Sequence, residues 1–496
     1  MRPRPPLETL RTVFGFDAFR DGQAAVIDSL LADKSTLAVF PTGSGKSLCY
    51  QLPALYFSGL TLVISPLIAL MKDQVEFLQS RNIQAVRLDS SLTWEQTRQV
   101  YDGLRSHQQQ ILFIAPERLS NERFLQTLNR QTIDLLVIDE AHCISEWGHN
   151  FRPEYLKLAK MARELAVKRV LALTATATPK VAEDICREFN IKPDGYIHTG
   201  FYRPNLTLRF SVCPGIEEKQ RRLLARLQQA PAGPTIVYVT LQKTAEAVAD
   251  FLASEGYDSR AYHAGMQTEA RNAVQNWFMA SSSAIVVATI AFGMGIDKAD
   301  IRAVYHYNLP KTIENYSQEI GRAGRDGRPS VCEVFASNDD LITLENFVYG
   351  DTPERAALDQ FLEFVLAQEP EFDISVYELA NRFDIRHLVV KTTLTYLELM
   401  GIIESTAPFY AEYRFQPLLP SEQILQKFDQ KRAAFLRRLF SLAKKGRTWF
   451  TIDVTAAAET LQESRGRLVR ALNYLEEQGY LTLKVSGARQ GYRLIN

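Results

Sequence analysis

Short apolar runs recur along the first two thirds of the chain, each followed by a stretch whose apolar positions repeat at helical spacing. Between about 23 and 200 these runs fall at 37–40, 61–65, 111–114, 135–138 and 170–173. Continuous apolar strands separated by helices predict a parallel sheet covered on both faces, and so an α/β domain. A second alternation starts near 206, with runs at 235–239, 259–262, 284–288, 303–307 and 331–336, and predicts a second α/β domain. Cys213-Pro214-Gly215 and the segment 230–234 read as loops. Beyond about 350 the pattern turns helical, and two stretches echo each other 78 residues apart: Tyr396-Leu397-Glu398 with Gly401, and Tyr474-Leu475-Glu476 with Gly479. Each closes a helix on glycine and leads into an apolar strand, and each follows a shorter helix and a tight turn. Two winged-helix modules in tandem are the simplest arrangement. The expected domains are 1–205, 206–345, 346–417 and 418–496.

Composition narrows the class. A chain of 496 residues is too long for one core, since single cores stop growing near roughly 250 to 300 residues. Its 46% hydrophobic and 23% charged content is that of soluble globular protein, and no apolar run approaches the ~20 residues that span a bilayer. The opening Met1-Arg2-Pro3-Arg4 runs into polar sequence without an apolar stretch, so neither a secretory signal nor a membrane partner is expected and the location expected is cytoplasmic. Five cysteines, none in a CxxC pair, are expected to be reduced thiols and not zinc ligands. Net charge is zero, yet residues 421–496 hold 14 Lys and Arg against 7 Asp and Glu. A basic terminal module suits a polyanion.

The chemistry concentrates in three motifs. Pro41-Thr42-Gly43-Ser44-Gly45-Lys46-Ser47 lies between a strand run and a helical stretch, the setting of a phosphate-binding loop. Gly43 and Gly45 let backbone N–H groups curl around phosphate, Lys46 offers a cation to the β and γ phosphates, and Ser47 offers a hydroxyl to Mg²⁺. Phe40 stands where the general pattern has its first glycine. In Val137-Ile138-Asp139-Glu140-Ala141-His142 an apolar strand delivers Asp139 to its end, where it can hold Mg²⁺, while Glu140 can polarise the water that attacks the γ phosphate. ATP and Mg²⁺ are the expected ligands. Thr174-Ala175-Thr176 follows another strand, and its small hydroxyls suit a relay of phosphate state by hydrogen bonds. In the second domain, Gln318-Glu319-Ile320-Gly321-Arg322-Ala323-Gly324-Arg325 places two arginines three apart. Arg325 is the candidate arginine finger, with Arg322 beside it on the phosphates.

These residues resemble superfamily 2 helicases, and further segments narrow the resemblance to the RecQ family. Phe14-Gly15-Phe16-Asp17-Ala18-Phe19-Arg20-Asp21-Gly22-Gln23 resembles that family's motif 0, which implies that Gln23 reads adenine while Arg20 and Phe16 pack on the nucleotide. The family usually has Pro at Asp21 and often Tyr at Phe16. Ser65-Pro66-Leu67-Ile68-Ala69-Leu70-Met71-Lys72-Asp73-Gln74 and Ala115-Pro116-Glu117-Arg118-Leu119 are similar to its motifs along the DNA path. The most diagnostic segment is Ser145 to Tyr155, which resembles the family's aromatic-rich loop coupling single-strand contact to hydrolysis. There Trp147 and Phe151 offer stacking faces for unpaired bases and Arg152 a phosphate or cation–π contact. Where the family commonly has an acid, this chain has Asn150. Ala261 to Met266 and Ala288 to Lys298 complete the likeness, which covers about residues 10 to 345.

Past 345 the resemblance weakens. RecQ enzymes usually follow the motor with a four-cysteine zinc segment, and those cysteines are absent. Residues 346–372 are expected to form a helical hairpin held by Phe347, Phe361, Leu362 and Phe364. The first module's wing is expected as a hairpin over 402–415 with Phe409 and Tyr410 near its tip, a candidate strand-separating pin. The second is expected over 481–495, turning at 486–491. Arg465, Arg467 and Arg470, on a helix placed like a recognition helix, join Lys444, Lys445 and Arg447 as candidate phosphate contacts. The resemblance implies two RecA-like domains in a monomeric ATP-dependent DNA helicase, moving 3′ to 5′ on single-stranded DNA and acting on forked duplexes in repair or recombination. The alternatives are an RNA helicase, a remodeller that does not part strands, and a nucleotide-gated DNA-binding clamp.

Overall fold

Strands buried on both faces send alternate side chains to opposite layers, and the apolar runs of this chain do so throughout its two large sheets. The computed structural model describes residues 4–89, 91–120, 122–145, 152–229, 233–293, 296, 298–350, 352–406, 409–446 and 449–495. They form two units, Met1–Tyr349 and Gly350–Asn496.

In the first unit, β1 (Thr36–Val39), β2 (Leu60–Ile64), β3 (Ala85–Leu88), β4 (Ile111–Ile114), β5 (Ile133–Ile138), β6 (Val170–Thr174) and β7 (Tyr196–His198) make a parallel sheet. Its order is β3-β4-β2-β5-β6-β1-β7. Leu37, Val39, Leu62, Ile114 and Ile138 fill one layer, and Ala38, Phe40, Val63, Phe113 and Val137 the other. β3 and β7 were not among the expected runs. Both are edge strands, less buried and less apolar than the interior five.

The second sheet consists of β8 (Leu206–Val212), β9 (Thr235–Tyr238), β10 (Ser259–Tyr262), β11 (Ile285–Ala288), β12 (Ala303–His306) and β13 (Ser330–Ala336). All pairs are parallel, in the order β10-β11-β9-β12-β13-β8. The fold class is therefore two RecA-like parallel-sheet domains. Because β1, β6 and β5 are adjacent and parallel, the segments that follow them (41–47, 174–176 and 139–142) emerge along one edge of the first sheet, where open α/β sheets bind ligands. Among the described residues no helix is long and apolar enough to cross a membrane. Cys49, Cys143, Cys213 and Cys332 are buried free thiols, and Cys186 is a half-buried one.

The second unit corrects the expected wings. It contains β14 (Glu371–Ile374), β15 (Ile403–Ser405), β16 (Phe409–Pro417), β17 (Lys444–Lys445), β18 (Phe450–Asp453) and β19 (Leu481–Leu494). Among the described residues neither stretch folds back as its own hairpin. β19 is one continuous strand, antiparallel to β16 from Leu481↔Pro417 to Arg489↔Phe409 and to β15 from Tyr492↔Ser405 to Leu494↔Ile403. β14 lines the other side of β19 at residues 490–493, and β18 lines β16 at 412–415.

Each repeat thus sends its last strand into the other. Tyr413 and Phe415 pack with Ile452, Leu468 and Leu472 of the second repeat, whereas Tyr492 and Leu494 pack with Phe361, Leu379 and Leu394 of the first. A cut at 417/418 divides a unit whose two cores each draw strands from both sides. Phe409 and Tyr410 lie midway along this ribbon and not at a hairpin tip, which removes the geometric basis for a pin there; their side chains lie outside the described residues. The helices expected at 346–372 are Asp339–Gly350, closing the first unit, and Arg355–Leu366, opening the second. Phe361, Leu362 and Phe364 pack in the first repeat's core, while Phe347 lies under the Lys311 ammonium at 5.4 Å.

Candidate active site

The phosphate-loop segment leaves β1 and curls because Gly43 and Gly45 adopt φ of 85° and 81°, a region open to glycine at little cost. Lys46 Nζ rests 3.3 Å from the Phe40 carbonyl. Burial pulls its pKa below the ordinary ammonium value, against the opposing field of Glu140 and Asp139. Asp139 accepts hydrogen bonds from Ser65 Oγ and from the Glu140 N–H, each at 3.0 Å. Burial, then the neighbouring Glu140 charge, raises the Asp139 carboxyl. Burial raises Glu140 too, opposed by Lys46 and Arg322. Glu140 is held at φ 51°, ψ 45°, a conformation that costs of order 1–3 kcal/mol for a non-glycine residue and recurs where geometry is functional.

Asp139 and the Ser47 hydroxyl are oxygen donors of the kind that Mg²⁺ bound with phosphate would take, which leaves Glu140 for the attacking water. Glu140 Oε2 and Ser44 Oγ are buried without a hydrogen bond among the described residues, as befits atoms kept for a ligand. His142 Nδ1 lies 2.9 Å from Thr174 Oγ1 and 3.4 Å from Glu140 Oε2. Burial, with Lys46 next, pushes this imidazole down to about 3, so it is neutral at physiological pH. Thr174 Oγ1 also bonds the Thr176 backbone through both N–H and carbonyl. One histidine nitrogen thus bonds Thr174 and lies close to Glu140, beyond the ends of two adjacent strands.

Gln23 and Arg20 grip the loop from behind. Gln23 Nε2 donates to the Gly45 and Ser44 carbonyls at 2.9 and 3.2 Å, its Oε1 accepts the Arg20 N–H at 2.8 Å, and Arg20 Nη1 donates to the Gly43 carbonyl at 2.6 Å. Phe16 stands 46% exposed, leaving its ring open to a ligand.

Across the cleft, the helix Ile313–Ile320, capped by Thr312, leads into the arginine turn. Arg322 is buried and donates to the Gly293 carbonyl. Gly293 has φ 147°, a backbone conformation that favours glycine, and a Cβ there would sit 2.5 Å from Arg322 Nε and push the guanidinium aside. Arg325 Nη1 donates to the Ile296 carbonyl at 3.0 Å, and its Cγ lies 3.0 Å from where a Gly43 Cβ would stand. Thr42 approaches Gly321 as closely. Arg325 therefore meets the phosphate loop, and Arg322 bears on Glu140.

Trp147 and Phe151 lie outside the described residues. Arg152 is half-buried, with Nη1 3.9 Å from Glu117. In the second unit Arg465 and Arg470 fall on the helix Arg465–Glu477 with their side chains outside the described set. Arg467 is engaged by both Glu463 oxygens at 2.6 and 2.7 Å and lies over Phe435. Sequence reasoning missed Arg203 and Asn205, which bond the arginine turn from the segment between the sheets, and missed the bond by which Ser65, first residue of the 65–74 motif, donates to Asp139.

A phosphate loop and acidic pair on one parallel sheet, faced by two arginines from a second, define the class of two-domain P-loop proteins in which nucleotide sits between RecA-like domains. The family described as DEAD/DEAH box helicase matches residues 20–185, and that described as helicase conserved C-terminal domain matches 218–327. The chain is 39% identical over 384 residues to the probable ATP-dependent DNA helicase RecS of Bacillus subtilis, covering 77% of this chain and 74% of that one. It is 44% identical over 363 residues to the ATP-dependent DNA helicase RecQ of Haemophilus influenzae. That match covers 72% of this chain but only 58% of the relative. The chain belongs to the RecQ family of superfamily 2. Among solved structures, Saccharomyces cerevisiae Dbp5 bound to RNA and ADP BeF3 (TM-score 0.55, 18% identity, 69% of this chain and 91% of that one) shares the fold. So does the helicase MrfA bound to DNA (TM-score 0.56, 19% identity, 70% and 54%).

Proposed function

We propose that the chain is an ATP-dependent DNA helicase that hydrolyses ATP between its two RecA-like domains, translocates 3′ to 5′ on single-stranded DNA and opens forked duplexes. It works as a cytoplasmic monomer in repair or recombination. The observation that carries this reading is the meeting of Gly43 and Arg325 across the cleft beside the Lys46, Asp139 and Glu140 charges. A clamp needs nucleotide binding alone, whereas this set can also polarise water and answer charge on a transferring phosphoryl group. When bound, Mg²⁺ neutralises phosphate oxygens; Ser47 and Asp139 are the residues to hold it, and Glu140 orients the water. Gln23 and Arg20, bonded to loop carbonyls, tie adenine recognition to loop shape. Boundaries at 205/206 and 345/346 fit this division of labour.

The test is steady-state ATPase without nucleic acid and with single-stranded DNA, duplex DNA or RNA, for the native chain and Glu140→Gln. Stimulation by single-stranded DNA, lost by at least about 10²-fold in the variant, is expected, since removing a group that acts in the transition state costs on that scale. Tailed duplexes then give polarity. Stimulation by RNA alone refutes the DNA assignment, and absence of stimulated turnover refutes the motor in favour of a clamp.

A further inference from the structure

The segment between the two sheets does more than connect them. Arg203 Nη2 donates to the Gly324 and Ala323 carbonyls at 2.7 and 3.1 Å, and its Nη1 reaches the Thr42 carbonyl at 3.5 Å. Two residues on, Asn205 Nδ2 donates to the Gly324 and Arg328 carbonyls at 2.8 and 3.0 Å. Three carbonyls of the turn bearing Arg322 and Arg325 are thus held by two linker side chains, one of which also touches the phosphate loop. Gly324 has φ 53°, and a Cβ there would meet Asn205 Nδ2 at 2.5 Å and Ser330 Oγ at 2.7 Å. The turn is shaped to accept these donors.

Arg203 is half-buried and, like Phe201 and Leu206, lines a cavity of about 300 Å³ together with Thr42, Ala175 and Gly321. Its guanidinium faces backbone carbonyls, and burial draws its pKa below the usual guanidinium range. A planar fork of fixed donors suits several carbonyls at once. A charge directed from the linker at neutral carbonyls calls for an explanation other than an ion pair.

We propose that Arg203, with Asn205, is a positioning residue for the arginine finger: a latch that sets the Gly321–Arg328 turn against the phosphate loop, so that linker geometry governs when Arg325 is placed for hydrolysis. This rests on the ATPase reading above. Among the described contacts neither residue touches Asp139, Glu140 or Lys46, so the latch works through the turn that carries Arg325 and its seat against the Thr42 carbonyl.

The experiment compares the full chain with Arg203→Ala, Arg203→Lys and Asn205→Ala in two readouts. The first is single-strand-stimulated ATPase, split into kcat and KM for ATP. The second is hydrogen exchange of amides in 321–328 against those of β9 and β12. Arg203→Ala is expected to lower kcat about ten- to a hundredfold, the scale of a displacement near 1 Å in a catalytic group, with KM within about twofold, and to speed exchange in the turn while the two strands keep their protection. Arg203→Lys recovers part of kcat, because an ammonium can bond some but not all of these carbonyls, and Asn205→Ala shows a smaller loss. Unchanged kcat, a loss expressed only in KM, or exchange that rises equally in β9 and β12 overturns the latch. A native chain without stimulated turnover overturns the ATPase reading instead, and the exchange measurement then decides the latch alone.

Discussion

Replacing Tyr492 with alanine should loosen the repeat to which it does not belong in sequence. Tyr492 sits near the end of β19, closing the second repeat, yet it is 2% exposed in the core formed by Phe361, Leu379, Ile385 and Leu394. Its ring stacks on Phe372 at 5.9 Å and 29°, and its hydroxyl lies 2.9 Å from Gln490 Oε1. Truncating a buried aromatic to alanine costs about 3–5 kcal/mol. At about 1.4 kcal/mol per power of ten, opening of the first repeat should rise by roughly two to three and a half orders of magnitude. The assay is hydrogen exchange on the intact chain, read separately over the helices Val376–Phe383 and His387–Leu399 and over Val454–Leu461 and Arg465–Glu477. Tyr492→Ala should accelerate exchange in the first pair. Phe415→Ala, which removes a first-repeat ring from the second repeat's core, should accelerate the second pair. If each substitution loosens only the helices of its own repeat, the strands are not exchanged and the ribbon is wrong.

Asp340→Ala should destabilise the first unit by about 3–5 kcal/mol, because it strands a buried charge: Lys219 Nζ lies 2.9 and 2.8 Å from the two carboxylate oxygens, which also accept from Asn308 and the Leu309 N–H. A paired replacement, Lys219→Met with Asp340→Leu, should recover only part of that loss in the same thermal or urea titration, because the Asn308 amide and the Leu309 N–H still lose their acceptor. Asp134 makes the first unit acid-sensitive: burial pushes its carboxyl up, but the Lys168 ammonium at 2.6 Å and the Gly59 N–H at 2.7 Å outweigh it and leave it below the usual range. Its contribution is therefore full above about pH 4, the ordinary aspartate value, and fades as pH falls through the lowered value, so Asp134→Asn should flatten the acid limb of stability against pH.

The placing of the phosphate loop and the acidic pair at neighbouring strand ends was legible because it is local. Lys46, Asp139 and Glu140 stand at strand ends set by short apolar runs, and a phosphate loop is one continuous segment with glycines at the two positions of positive φ. Arg322 and Arg325 were readable for the same reason. What those two arginines rest on was not: the Gly293 carbonyl lies 29 residues from Arg322, and Arg203 reaches Gly324 across 121. Backbone carbonyls carry no residue signature, so an arginine that recognises them looks like any linker arginine. β3 and β7 escaped because edge strands need no continuous apolar run. β8 was anticipated only as a starting point near 206, and it too is an edge strand, exposed along most of its length.

The exchanged ribbon was hidden for a different reason. Gly487 and Gly491 make Ser486 to Gly491 read as a turn, and turn chemistry is the strongest local signal for a hairpin. Pairing is decided by where the apolar faces find a core, and such tertiary context overrides local propensity. Two modules with the same order of helices and strand each offer an apolar strand and a core, the circumstance in which exchange between copies can occur. The echo at 78 residues therefore specified the helices of each module while leaving open which copy's strand completes which core. In this chain β16 and β19 run past their own helices and complete the other copy, so the apolar residues after Gly401 and Gly479 serve one core at the start of each strand and the other core at its end.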